Sequence, residues 1–98
     1  MLDLYSGDWK NDIIQGFGRY YYNNGHCFEG MFRNGMRNGR GKYQLTDGRV
    51  EIYRYVNDNR VGDGVRWSAD RRKAWKMNNG KVVKRISMDD AKTIANRW

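Results

Sequence analysis

Four groups of residues in this 98-residue chain have types that chemistry could use. His26-Cys27 places an imidazole next to a thiol, the pairing that activates a cysteine nucleophile. Adjacent side chains on a strand point to opposite faces, however, and no third group stands nearby in sequence to orient the ring. Two ligands also fall short of a metal site, which needs three or four. Asp89-Asp90 supplies paired carboxylates, but their position just after Ser87 suits a helix N-terminus better than acid–base work. Gly16-Phe17-Gly18 lacks the lysine-serine and the following helix of a phosphate loop. The reading is therefore a chain that is not an enzyme, with no catalytic or metal-binding residues, no cofactor and no small-molecule substrate.

The fourth group is a basic stretch. Residues 1–48 hold six basic and five acidic groups, and residues 49–98 hold thirteen and six, so the net charge of +8 lies almost wholly in the second half. Arg66, Arg71, Arg72, Lys73, Lys76, Lys81, Lys84 and Arg85 face a single acid, Asp70, between positions 66 and 85. A solvated hairpin face explains such charges by default. The functional reading is an anion site for acidic lipid head groups or for nucleic acid. Trp67 and Trp75 between the cations offer stacking surface, but no nucleic-acid module is recognisable, which puts membrane ahead of nucleic acid.

What must position these groups is a repeat of 23 residues. Tyr5-Ser6-Gly7-Asp8-Trp9 recurs as Phe28-Glu29-Gly30-Met31-Phe32, and Gly16-Phe17-Gly18 recurs at Gly39/Gly41 and Gly62/Gly64. Ten of the twelve glycines fall on four positions of the repeat, a pattern that stacked copies of one unit produce. Alternation of Tyr5, Gly7 and Trp9 with Ser6, Asp8 and Lys10 predicts strands with one apolar and one wet face. Tyr20 and Tyr22, and then Tyr43, continue that face. Asn24-Gly25 and Asp47-Gly48 predict tight two-residue hairpins with positive φ at both centres as the unit boundaries. The paired glycines are expected to open the second strand of each unit after a polar connection of about six residues. Repeated bends should then curl the sheet into a trough lined by aromatic rings.

The third copy departs from the rule. Glu51, Tyr53 and Tyr55 stand where Tyr5, Gly7 and Trp9 stood, and Asp70-Arg71 replaces Asp-Gly. Asn79-Gly80 predicts a last hairpin between 72–77 and 81–86. After it the period becomes helical: Ser87 is an N-cap, Asp90 completes a capping box, Ile86 and Ala91 form a staple, and Met88, Ala91, Ile94, Ala95 and Trp98 make one apolar stripe. Residues 87–98 are expected to cap the open end of the sheet. The first repeat begins almost at Met1 without a cap, which implies a fragment or a neighbour covering that edge.

Together the Tyr-x-Gly-x-Trp, Gly-x-Gly-x-x-x-Tyr and Asx-Gly pattern at this period resembles the MORN repeat (membrane occupation and recognition nexus), closely over residues 4–48 and in part over 49–73. The resemblance implies an all-β repeat fold, an elongated single-layer antiparallel sheet of stacked β-hairpins without catalytic activity, here with a short C-terminal capping helix. The expected domains are an array over 1–73, with regular units at 5–27 and 28–50 and a degenerate one at 51–73, then a terminal β-hairpin and helix over 74–98. Members of the family are credited with partner binding, self-association and phospholipid binding. Carried over position by position, Tyr5, Trp9, Tyr20, Tyr22, Phe28, Phe32 and Tyr43 would line a partner-binding groove, with binding centred near Tyr22 and Phe28. The expected function is a scaffold binding a protein partner or itself, with peripheral binding to anionic phospholipid as the alternative. One unpaired cysteine, no signal-peptide pattern and no bilayer-length apolar run point to an intracellular, cytoplasmic setting, with or without membrane association.

Overall fold

The computed structural model describes residues 3–97. Eight strands follow one another: β1 (Leu4–Lys10), β2 (Ile13–Tyr21), β3 (Cys27–Arg33), β4 (Met36–Gln44), β5 (Val50–Val56), β6 (Asn59–Trp67), β7 (Ala74–Asn78) and β8 (Lys81–Ile86). They pair in sequence order in one open antiparallel sheet, and a single short helix, α1 (Met88–Ala95), ends the chain. The expected fold class is the one observed. The molecule measures 42 × 27 × 18 Å, as befits a sheet of one layer.

The two kinds of turn are distributed differently from the expectation. Tight turns with two left-handed residues lie inside each unit, at Asn11-Asp12 and Asn57-Asp58, with Asn34-Gly35 and Asn79-Gly80 in the same two-residue form. Asn and Asp tolerate the left-handed region, so glycine is not essential there. Asn24-Gly25 and Asp47-Gly48 sit instead in five-residue loops between units, and Asp70-Arg71 sits in a six-residue loop. In these loops Asn24, Asp47 and Asp70 each accept a hydrogen bond from the backbone N–H two residues on, at His26, Arg49 and Arg72. The Asx residue thus closes a turn through its side chain and keeps an ordinary φ. Only the following residue, Gly25, Gly48 or Arg71, is left-handed.

The second strand of each unit also begins earlier than expected, so its paired glycines lie in mid-strand rather than at its start. Gly16, Gly39 and Gly62 have φ of 93°, 103° and 67° beside the point where each hairpin slips register. They are bulge glycines, and the bulge bends the strand.

On one face, one row of side chains crosses the whole sheet through direct strand pairing: Tyr5, Tyr20, Phe28, Tyr43, Glu51, Arg66, Trp75 and Arg85. Beside it runs a row of Gly7, Gly18, Gly30 and Gly41 that ends at Tyr53. The rings lean over these glycines. A Cβ on Gly18 would lie 2.2 Å from the Tyr5 hydroxyl, and one on Gly41 would lie 2.2 Å from the Phe28 ring. Phe28, Phe32, Tyr53, Tyr55 and Met77 form the buried core of this ring face.

α1 does not cap the end of the sheet. It folds back across the other face, where Ala91, Ile94 and Ala95 pack with Val65 and Ala74. An edge strand offers unpaired N–H and C=O groups that a helix cannot satisfy, whereas a sheet face offers apolar area. The expected helix start holds, since the Ser87 side chain accepts from the Asp90 N–H. At the other end the Arg40 guanidinium donates to the Ala95 carbonyl at 2.9 Å, tying α1 to β4. Trp98, expected on the apolar stripe, lies outside the described residues.

Candidate functional site

The ring face is filled by its own side chains. Tyr5 meets Phe32 edge-on with centroids 5.4 Å apart, Phe28 meets Phe32 at 5.3 Å, and Phe28 meets Tyr55 at 5.2 Å. Guanidinium groups then lie over the rings: Arg37 covers Phe28 and Tyr55, and Arg60 covers Tyr43 and Tyr53. Such stacking adds cation–π attraction and shields the rings from water. Asp58 holds Arg37 in place at 3.1 Å.

Of the expected groove residues, Phe28 and Phe32 are buried. Tyr5, Tyr20, Tyr22 and Tyr43 are half-buried. Trp9 is 59% exposed at the β1 edge. Burial pushes the Tyr22 hydroxyl up to about 12, and it raises Tyr43 and Tyr53 as well. These hydroxyls are therefore neutral near pH 7.

Residues that departed from the repeat prove to be matched. Glu51 is 1% exposed, and its carboxylate accepts from Arg66 at 2.5 Å, with Arg60 at 3.7 Å. Glu51 and Arg66 are direct strand partners, as Tyr5 and Tyr20 or Phe28 and Tyr43 are in the regular units. The Tyr53 ring, in the place of Gly7 and Gly30, covers Gly64, where a Cβ would lie 2.5 Å from it. So an ion pair has replaced a ring pair, and a ring has moved into the glycine row.

The basic set divides in two. Arg66 is neutralised by Glu51, and Lys76 lies 3.7 Å from Asp63. Arg71 occupies the left-handed loop position of a glycine and donates to the carbonyls of Gly48, Ser68 and Ala69, which offsets the strain of that backbone. Arg72, Lys73, Lys81, Lys84 and Arg85 are exposed, and among the described residues none has an ion-pair partner. Val82 and Val83, half-exposed, stand between Lys81 and Lys84 on the outer strand β8.

His26 and Cys27 point apart. His26 Nδ1 lies 2.9 Å from the Tyr43 hydroxyl on the ring side, whereas Cys27 lines a hollow on the other face, with its thiol raised by burial. Among the described residues no group of three His, Cys, Asp or Glu is placed to hold a metal ion, and no helix is long and apolar enough to cross a membrane.

The face opposite the rings was not singled out by the repeat, yet it carries the open surface. α1 lies over β6 and β7 and reaches only Ile52 of β5 and the Arg40 side chain of β4. Over β1–β4, Leu4 (61% exposed), Phe17 (55%), Tyr21 and Met31 (42%) stand bare. Two hollows lie among them. One of about 450 Å³ is lined by Arg19, Tyr21, Cys27, Glu29, Lys42 and Gln44, and a second of about 280 Å³ by Phe17, Met31, Arg40, Lys42 and Ile52. Arg19 donates to Glu29 across the strand pair, and this raises its already high pKa. The signal for this face was present as Phe17, Tyr21 and Met31 at positions of opposite parity to the ring series.

Comparison with known proteins agrees with the geometry. The MORN repeat profile matches residues 5–27 and 28–48. Alsin from Homo sapiens, Mus musculus and Rattus norvegicus is 37% identical over 68 residues, which is 64% of this chain. The chain spans about 4% of the length of those relatives.

Proposed function

Residues 5–48 of this chain are two MORN repeats, and on that premise we propose that it is a non-catalytic interaction module that binds a protein partner or a second copy of itself. MORN repeats are in general associated with protein and membrane interaction. One observation carries the reading to this chain: a single-layer sheet has two faces, and only one of them is filled by the chain's own side chains. Ring-face contacts, on this reading, are confined to Trp9 and the half-buried Tyr5, Tyr20, Tyr22 and Tyr43, since Phe28 and Phe32 serve the core. The array runs through residue 73, and the hairpin and helix over 74–98 follow it. The setting is intracellular. Chemical crosslinking of the purified chain alone and with candidate partners tests the reading. Crosslinked partner or dimer species are expected, and a chain that stays monomeric and partnerless would overturn it.

A second reading rests on β8. Exposed Lys81, Lys84 and Arg85 flank the bare valines Val82 and Val83 along β8, and exposed Arg72 and Lys73 lie in the loop before β7, a mixture of cations and apolar side chains that suits an anionic bilayer surface. Flotation with phosphatidylserine vesicles should carry the chain upward at low salt. Arg72→Glu with Lys73→Glu and Lys84→Glu should abolish that, and binding that ignored both salt and these changes would reject the reading.

A further inference from the structure

The bare face over β1–β4 is the direct continuation of the surface that α1 already covers, and α1 shows what kind of element fits it. α1 presents Ala91, Ile94 and Ala95 to the sheet, small and branched apolar groups one helical turn apart. Ile52 belongs to both places: it packs against the α1 cluster and also walls the 280 Å³ hollow. Beyond Ile52, across Arg40 and Lys42 of β4, stand Met31 and Phe17, which are strand partners.

Spacing allows a second helix there. Packed helices lie about 8–10 Å apart, and strands about 4.8 Å apart. With α1 over β6 and β7, a neighbour would settle about two strands away, above β4 and β5. The 280 Å³ hollow reaches that place through Arg40, Lys42 and Ile52. Lys42 on β4 and Arg54 on β5 are exposed on the same face with no ion pair among the described residues, whereas Arg40 is held by the Ala95 carbonyl of α1. Arg19 is already occupied by Glu29. A helix from a partner would therefore be favoured by carboxylates beside its apolar stripe.

We infer that the face of β2–β5 opposite the rings is a docking site for an amphipathic helix of a partner protein, with small and branched apolar residues against Phe17, Met31 and Ile52 and acidic residues toward Lys42 and Arg54. This names the occupant of the interaction module proposed above and rests on that proposal. The helix lies beside α1, so that intramolecular and partner helices form one layer on the sheet.

The test uses the full chain with isotope-labelled Ile and Met methyl groups and a synthetic 16-residue helical peptide. The peptide carries Ala and Ile on one face and Glu along both flanks. Shifts are expected at Met31 and Ile52, with Met77 and Ile14 on the ring side unmoved. Phe17→Glu is expected to weaken binding at least tenfold without lowering the Tm, because Phe17 is exposed. A scrambled peptide of the same composition, or one with Lys in place of Glu, should bind at least tenfold more weakly. Absence of binding at millimolar peptide, equal binding of the scrambled peptide, or indifference to Phe17→Glu would overturn the site. So would a dimeric chain that Phe17→Glu turns monomeric, which assigns the face to a second copy. Shifts confined to the ring side would remove the helix site and leave the interaction-module reading standing, whereas a partnerless monomer in the crosslinking experiment removes both.

Discussion

In the first two hairpins an aromatic ring from one strand leans over a glycine of the next, and its strand partner is a second ring. In the third hairpin the same two positions hold Glu51 and Arg66, and the ring has moved two residues on, to Tyr53. The backbone hardly registers the exchange: β5 and β6 pair with the same mid-hairpin slip as β1 and β2 or β3 and β4. The difference teaches that this sheet requires each cross-strand site to be filled, and accepts either a ring pair or an ion pair there. The glycine beneath the ring is kept in each case, as Gly18, Gly41 and Gly64.

Substitutions can break that comparison. Phe28→Ala should have the largest effect, a loss of about 3–5 kcal/mol in urea unfolding, because a buried ring leaves a cavity that its neighbours cannot fill. Glu51→Ala comes next, at about 3 kcal/mol, since it strands Arg66. The lower end of the usual range applies because both guanidinium partners keep some solvent. Glu51→Tyr combined with Tyr53→Gly and Arg66→Tyr rebuilds the regular arrangement and should recover stability to within about 1–2 kcal/mol of the parent. A triple variant as unstable as Glu51→Ala would show that the two arrangements are not equivalent.

Gly41→Ala should cost about 1–3 kcal/mol by forcing Phe28 aside. Gly35→Ala, which meets nothing within 4 Å, should cost only about 1 kcal/mol for its left-handed backbone. Ser87→Ala removes the cap of α1 and should lower stability by about 1 kcal/mol, the loosened helix being visible as faster amide exchange in β6 and β7.

Alkaline titration separates the units least at neutral pH and most above it. Tyr22 and Tyr53 are both raised above their ordinary value by burial, so the neutral hydroxyl is the form the fold prefers. The sign follows: this stability is fully present below pH 10 and is lost as pH rises, toward about 12 for Tyr22. Tyr53→Phe should flatten that loss, and because its hydroxyl is buried without a hydrogen-bond partner, it should change neutral-pH stability by less than about 1 kcal/mol. Circular dichroism across the alkaline range checks both.

Much of the fold was legible in the 23-residue period. Strand alternation follows directly from side chains at every second position, so the ring series and the antiparallel sheet could be read without coordinates. The N-cap at Ser87 was legible because capping is a contact between near neighbours. The turns were harder. Asn24-Gly25 and Asn34-Gly35 look alike as dipeptides, and only the register of the flanking strands decides which one is the two-residue turn.

The candidate site was legible only in its residues. From the sequence, the aromatic series looked like a groove, because nothing local says that Arg37 and Arg60 will lie over the rings. Nor does it say that Arg71 will spend its guanidinium on loop carbonyls, or that α1 will lie on a face in preference to an edge. By itself the sequence determined the repeat, the alternation and the chemistry at each position, since these depend on spacing along the chain. The tertiary structure decided which of those side chains satisfy one another across strands and which are left for a partner, since that is settled by packing between residues far apart in sequence.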